Sequence, residues 1–198
     1  MRGILLRRTI FLALIFCLLG CSERAPFAFY STDISGADFG RSLALTDHHG
    51  KARTLADFGG KAVVVFFGYT SCPDICPTAL SKFAGVMKQL GADAARVQVL
   101  FVTIDPARDT PAQLATYVSW FDPSFLGLYG DAAATAAAAR EFKVYYAKKE
   151  TGGRLGYVMD HSAGAYIIDP AGRLRLYVKD DAPAEAIVAD VQALLAGK

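Results

Sequence analysis

The apolar positions of this chain follow two different periods. Two runs are apolar almost without interruption: Lys61 to Phe67 (KAVVVFF), bounded by glycines, and Val97 to Ile104 (VQVLFVTI). Short, β-branched and sharply bounded runs of this kind predict strands buried on both faces. Between them, from Pro77 to Leu90, the residues Leu80, Phe83, Ala84, Met87 and Leu90 recur at the spacing that gathers one face of a helix. Strand, helix, strand in that order predicts a βαβ unit with a parallel pair of strands.

Further elements surround this unit. Thr110 before Pro111, with Gln113 three residues after it, is a helix start signal, and the helix should run to about Phe121. A short strand near Phe125 to Tyr129, an alanine-rich helix from about Asp131 to Phe142 and a strand at Val144 to Lys148 follow. Leu43–Thr46 and Ala52–Leu55 flank Asp47-His48-His49-Gly50, and Ala165–Ile168 and Leu174–Val178 flank Asp169-Pro170-Ala171-Gly172; both patterns predict hairpins. Ile187, Val188, Val191, Leu194 and Leu195 share one face of a closing helix. Ser22 to Phe39, rich in Ser, Gly and Asp, reads as a tether. This order predicts an α/β domain over residues 40–198: a thioredoxin-like fold with an N-terminal β-hairpin and an α/β insertion.

The first twenty residues carry a different pattern. Arg2, Arg7 and Arg8 precede an apolar run from Ile10 to Leu19 with no acidic residue. That run is about half of the ~20 residues a spanning helix needs, so residues 1–20 read as a signal peptide. Leu18-Leu19-Gly20-Cys21 resembles a bacterial lipobox, which makes Cys21 a lipidation site; an ordinary signal peptide cut nearby is the other outcome. The residues after Arg7-Arg8 fit a twin-arginine route poorly. The lipobox places the protein on the periplasmic face of the membrane, with residues 21–39 as lipidated N-terminus and tether.

Charge and cysteine count change meaning once that segment is set aside. Over 198 residues, 53% hydrophobic and 20% charged content excludes a disordered or collagen-like chain. The formal charge of +2 rests on 21 basic and 19 acidic residues; without the three signal arginines the balance becomes 18 to 19, a charge of −1. No basic patch is left to recruit nucleic acid. Of the four cysteines, Cys17 leaves with the signal and Cys21 is the acylated residue, so Cys72 and Cys76 remain as the thiol pair.

That pair lies in Gly68 to Leu80, GYTSCPDICPTAL, directly after a buried strand and at the mouth of a helix. Three residues separate the cysteines, where a redox C-x-x-C has two. Pro77 suggests that Cys76 caps the helix and Pro77 opens it, which would place the Cys76 sulfur at the positive dipole end and favour its thiolate. Two uses of the pair stand open. As a dithiol it exchanges disulfides; as two thiolates it holds a soft metal such as Cu(I) or Zn. A metal needs a further ligand, and the candidates are His48, His49, His161, Met87 and Met159. His48 and His49 sit at a hairpin tip and read as turn residues in water, and Met87 reads as core. His161 lies in an apparent loop feeding a strand, with Asp160 beside it either to orient the imidazole or to cap the turn. Asp74 either tunes the charge of the pair or favours the turn. Asp105, Arg108 and Asp109, at the end of the second strand, read as turn residues with a local ion pair or as a docking patch.

Together, GYTSCPDICPTAL, VTIDPARDTPAQLATYV and MDHSAGAYIIDPAGRL resemble the Sco (SenC) family, copper-binding assembly factors for cytochrome c oxidase. The resemblance implies a thioredoxin-like fold and copper held by Cys72, Cys76 and His161. It implies a metallochaperone that delivers copper to the dinuclear copper centre of the oxidase, with the oxidase's copper-centre subunit, a thioredoxin-like reductant and a copper-donating chaperone as partners. The alternative is a thiol–disulfide oxidoreductase in which Cys72 and Cys76 reduce the copper-ligand cysteines of that subunit. A peroxidase-like activity fits less well, because the context of a single peroxidatic cysteine is missing.

Overall fold

The computed structural model describes residues 27–152 and 156–198. The signal segment, Cys21 and the first residues of the tether lie outside them. In chain order the elements are β1 (Thr32–Asp33), β2 (Ala44–Asp47), β3 (Ala52–Thr54), β4 (Ala62–Gly68), α1 (Ile75–Leu90), β5 (Val97–Thr103), α2 (Pro111–Phe121), β6 (Leu126–Tyr129), α3 (Ala132–Glu141), β7 (Tyr146–Glu150), β8 (Tyr157–His161), β9 (Ala165–Ile168), β10 (Leu174–Val178) and α4 (Ala184–Leu195).

The βαβ unit forms as its pattern predicts. β4 and β5 pair in parallel from Ala62↔Val97 to Gly68↔Thr103, with α1 as the crossover. They are the middle of an eight-stranded sheet ordered β1-β10-β9-β4-β5-β6-β2-β3. Every residue of β4 is buried, which requires cover on both faces of the sheet. Alternate side chains supply it: the Phe66 ring meets Phe83 of α1 at 6.3 Å, and the Phe67 ring meets Phe142, beyond the end of α3, at 5.5 Å. α4 packs beside α1, and α2 lies against β6. The fold is the thioredoxin-like α/β arrangement expected from the sequence, with the N-terminal hairpin β2–β3 added at one edge through β6.

Local signals decide where elements begin. Thr110 Oγ1 accepts the Gln113 N–H at 3.3 Å while the Gln113 side chain accepts the Thr110 N–H at 2.9 Å, the reciprocal cap read from the sequence. In the β2–β3 turn, Gly50 takes the positive φ of +86° that a side chain would oppose. Asp47 is buried there, accepting from the His49 and Lys51 N–H groups at 2.9 Å each and from Arg53 Nε at 2.7 Å.

Three expectations need correction. His48 is not a solvated turn residue: its Nδ1 accepts the Gly127 N–H at 3.0 Å and ties the hairpin to β6, while His49 is exposed. The end of the tether is part of the body, because the Asp190 carboxylate accepts the Tyr30 and Ser31 N–H groups at 2.8 Å each and β1 pairs with β10. The strand expected at Val144 to Lys148 starts two residues later, at Tyr146. Its partner is β8, in the stretch read as loop, and the two form a separate two-stranded ribbon with Tyr146 opposite His161. Among the described residues, no helix is long and apolar enough to cross a membrane.

Candidate metal centre

The site is built where β4 ends. Asp109, itself buried, accepts the Thr70 N–H at 3.0 Å, the Thr70 hydroxyl at 2.7 Å and the Thr103 hydroxyl at 2.6 Å, and so fixes the chain just before the cysteines. Burial pushes the Asp109 carboxyl above the usual range against those three donors. The Cys72 N–H turns back to the Tyr69 carbonyl at 3.2 Å. Asp74 then caps α1, and the Thr78 N–H and hydroxyl both reach the Asp74 carbonyl, at 3.2 and 2.9 Å.

This start overturns the expected cap. α1 begins at Ile75, two residues before Pro77, so Cys76 lies inside the first turn and is fully buried. Pro77 is tolerated there because an N–H in the first helical turn has no partner to lose. The thiolate moves accordingly. Cys72, half-buried on the loop, receives the Cys76 S–H, a contact that outweighs the opposing effect of burial. With His161 and the N–H groups of Asp74 and Cys76 adding to it, the Cys72 thiol is pulled down to about 3. Cys76 is pushed the other way, because its S–H is held as the donor to Cys72 and because it is buried. In the reduced pair these contacts favour the thiolate on Cys72 over Cys76.

His161 arrives from the end of β8. Its Nδ1 lies 2.8 Å from the Ser162 carbonyl, which can only accept, so Nδ1 carries a proton and Nε2 is the nitrogen turned toward the sulfurs. Ser162, rather than Asp160, orients the ring. Nε2 lies 3.6 Å from the Cys76 sulfur, and the edges of the Phe66 and Tyr69 rings close in around the imidazole at 6.3 and 6.0 Å. The two sulfurs and the histidine nitrogen all lie within 4.8 Å of one another. Metal–sulfur and metal–nitrogen bonds of about 2.3 and 2.0 Å set three ligand atoms ~3.7–4.0 Å apart in a plane. A metal ion therefore fits with a shift of less than about 1 Å. Two sulfurs and one imidazole suit a soft ion. On its open side the group faces a cleft of about 300 Å³ bordered by Tyr69, Pro73, Ile75, Lys149, Val158 and Met159.

Of the other candidates, Met87 is in the core and Met159 lines the cleft. Asp105 and Arg108 form the expected ion pair and are joined by Tyr157 from β8. Sequence reasoning gave no role to Gly68. A Cβ there would stand 2.7 Å from the Cys76 sulfur and 2.9 Å from Phe101 Cε2, so the absence of a side chain makes room for the sulfur. The only sequence signal was a glycine closing an apolar strand.

Known proteins resemble the chain in sequence and in fold. The sequence pattern of SCO1/SenC matches residues 31–196. The mitochondrial SCO2 homolog of Bos taurus is 41% identical over 152 residues, 76% of this chain and 57% of that protein, so the chain spans somewhat more than half the length of this relative. The structure of ScoI from Bradyrhizobium japonicum with copper bound matches with a TM-score of 0.73 at 40% identity, over 80% of this chain and 99% of that one. The solution structures of apo Sco1 from Thermus thermophilus match with a TM-score of 0.75 at 38% identity, over 86% of this chain and 99% of that one. The chain belongs to the SCO1/SenC family.

Proposed function

We propose that this protein is a copper metallochaperone that delivers copper to the dinuclear copper centre of cytochrome c oxidase during assembly. The observation that carries the reading is the convergence of Cys72, Cys76 and His161 on one point beside an open cleft. Copper is bound by a relative 40% identical to this chain, and three ligands with an open side suit an ion that has to be handed on. Cys72 and Cys76 would bind as thiolates, Cys76 losing its proton to the metal's competition, and His161 through Nε2. Cys21, as the acylated first residue, would hold the protein at the periplasmic face of the membrane. Mass spectrometry of the mature N-terminus tests this: a diacylated or triacylated Cys21 supports it, and an unmodified terminus elsewhere contradicts it.

The split protonation of the pair favours a second activity on the same residues, reduction of the copper-ligand cysteines of the oxidase subunit. The Cys72 thiolate attacks a partner disulfide and expels a partner thiolate. Cys76 then gives up its proton and attacks the Cys72 sulfur, releasing the second partner thiol and leaving a Cys72–Cys76 disulfide. A thioredoxin-like reductant would have to restore the dithiol.

Titration with Cu(I) of the reduced and the disulfide forms tests the chaperone reading. One ion per reduced protein and none on the oxidised protein is the expected result. Equal affinity of the two forms would overturn the thiolate site.

A further inference from the structure

The ribbon that carries His161 is not part of the main sheet. A two-stranded ribbon is marginal by itself, so its attitude has to be set by side chains from the body. At the start of β8 these are plain. Arg108 Nη1 donates to the Tyr157 carbonyl at 3.0 Å. Its guanidinium carbon stands 3.7 Å from the centre of the Tyr157 ring and 5.6 Å from that of Tyr69. Arg108 Nε is bound to Asp105, whose other oxygen accepts the Tyr157 hydroxyl at 2.9 Å.

The anchor of this clamp is shared with the cysteines. The Asp105 N–H donates to Thr103 Oγ1 at 3.0 Å, and the Thr103 hydroxyl in turn donates to Asp109, the carboxylate that fixes Thr70 ahead of Cys72. Tyr69, beneath the guanidinium, directly precedes that loop. His161 ends the strand that Tyr157 begins. The dithiol and the imidazole are thus registered to each other through one cluster centred on Arg108.

We propose that Arg108 is a positioning residue of the metal centre: by clamping Tyr157 it fixes the β7–β8 ribbon and so holds His161 against the two sulfurs. This rests on the reading of Cys72, Cys76 and His161 as the copper site. Arginine is required because one planar fork serves Asp105 and the Tyr157 carbonyl while its face covers a ring; lysine, a point charge, cannot do all three.

The test uses Arg108→Met, Arg108→Lys and Tyr157→Phe in the full chain, with two readouts. In reduced, metal-free protein, Arg108→Met should speed amide hydrogen exchange in β7 and β8 by about tenfold or more, with β4 and β5 unchanged. Arg108→Lys should resemble it, and Tyr157→Phe should fall between. In Cu(I) titrations, Arg108→Met should weaken binding ~10–100-fold in the parent. Combined with His161→Ala it should add less than about twofold, because both changes remove the same contact. Unchanged exchange in the ribbon, additive losses in the double variant, or full restoration by lysine would each overturn the proposal. Should Arg108→Met lower protection in β4 and β5 too, Tyr157→Phe and Arg108→Lys decide. If the parent binds no copper the functional reading falls, and the exchange of the ribbon still decides the clamp.

Discussion

The Cys76 sulfur and His161 Nε2 lie 3.6 Å apart across 85 residues of chain. The contact joins the first turn of α1 to the end of a ribbon outside the main sheet, and neither element would bring a ligand there alone. With Nδ1 committed to the Ser162 carbonyl, Nε2 is the nitrogen left to face the sulfur. A sulfur and an imidazole nitrogen so placed can both turn to one metal ion.

The unequal pair has a direct consequence for reactivity. Cys72 is held at about 3, chiefly by the Cys76 S–H, so its thiolate persists above that pH. Alkylation of Cys72 by iodoacetamide should stay fast and nearly flat from pH 8 to pH 5, where an ordinary thiol loses about tenfold per pH unit. Cys76, buried, should react slowly throughout. In Cys76→Ala the Cys72 profile should move up toward an ordinary cysteine. A parent profile centred near 8.5 would contradict the assignment.

Gly68→Ala should disturb the centre without replacing any of Cys72, Cys76 and His161. Its Cβ would come within 2.7 Å of the Cys76 sulfur and 2.9 Å of Phe101, and both neighbours are packed in the core. We expect a loss of about 1–3 kcal/mol in stability, read from the denaturant midpoint, because the core has to shift to make room. Copper binding should weaken with it, since the displaced atom belongs to the proposed metal site. Parent-like values of both would show that the space is larger than the geometry indicates.

Asp109 carries the loop that presents Cys72. Asp109→Ala leaves the Thr70 N–H and the Thr70 and Thr103 hydroxyls without their acceptor in a buried place. The expected cost is about 2–4 kcal/mol in chemical denaturation. The Cys72 alkylation rate should change as well, because Thr70 lies two residues before it. A surface-like loss of under ~0.5 kcal/mol would show that Asp109 is dispensable to the loop.

What the sequence disclosed depended on how strongly each segment was patterned. KAVVVFF and VQVLFVTI are long, apolar and β-branched, so β4, β5 and the crossover between them were legible. Thr110 and Gln113 announced α2 through a cap that needs only neighbouring residues. Of the β7–β8 ribbon, β7 was anticipated two residues early, whereas Tyr157–His161 (YVMDH) was read as loop because its pairing with β7 leaves no local alternation to betray a strand. The start of α1 was misplaced because Pro77 suggests a boundary, whereas the Thr78 contacts to the Asp74 carbonyl open the helix earlier. For the site, the two cysteines stood out by spacing. His161 was one of several possible ligands until the resemblance singled it out, because its approach depends on pairings between distant segments. The contact of Gly68 with the Cys76 sulfur and the contacts of Arg108 with Tyr157 join distant segments, and no local pattern records them.

The central claim is a three-ligand centre, and His161 decides it. Replacing His161 with Ala leaves the sulfurs in place and removes the third donor. The most direct measurement is a Cu(I) competition titration of the reduced His161→Ala protein beside the parent, with disulfide formation by Cys72 and Cys76 followed in parallel. A copper affinity weakened by ~10–100-fold or more, with the dithiol still oxidising normally, is the expected result. Copper binding equal to that of the parent would contradict the three-ligand centre and leave the pair as a redox dithiol.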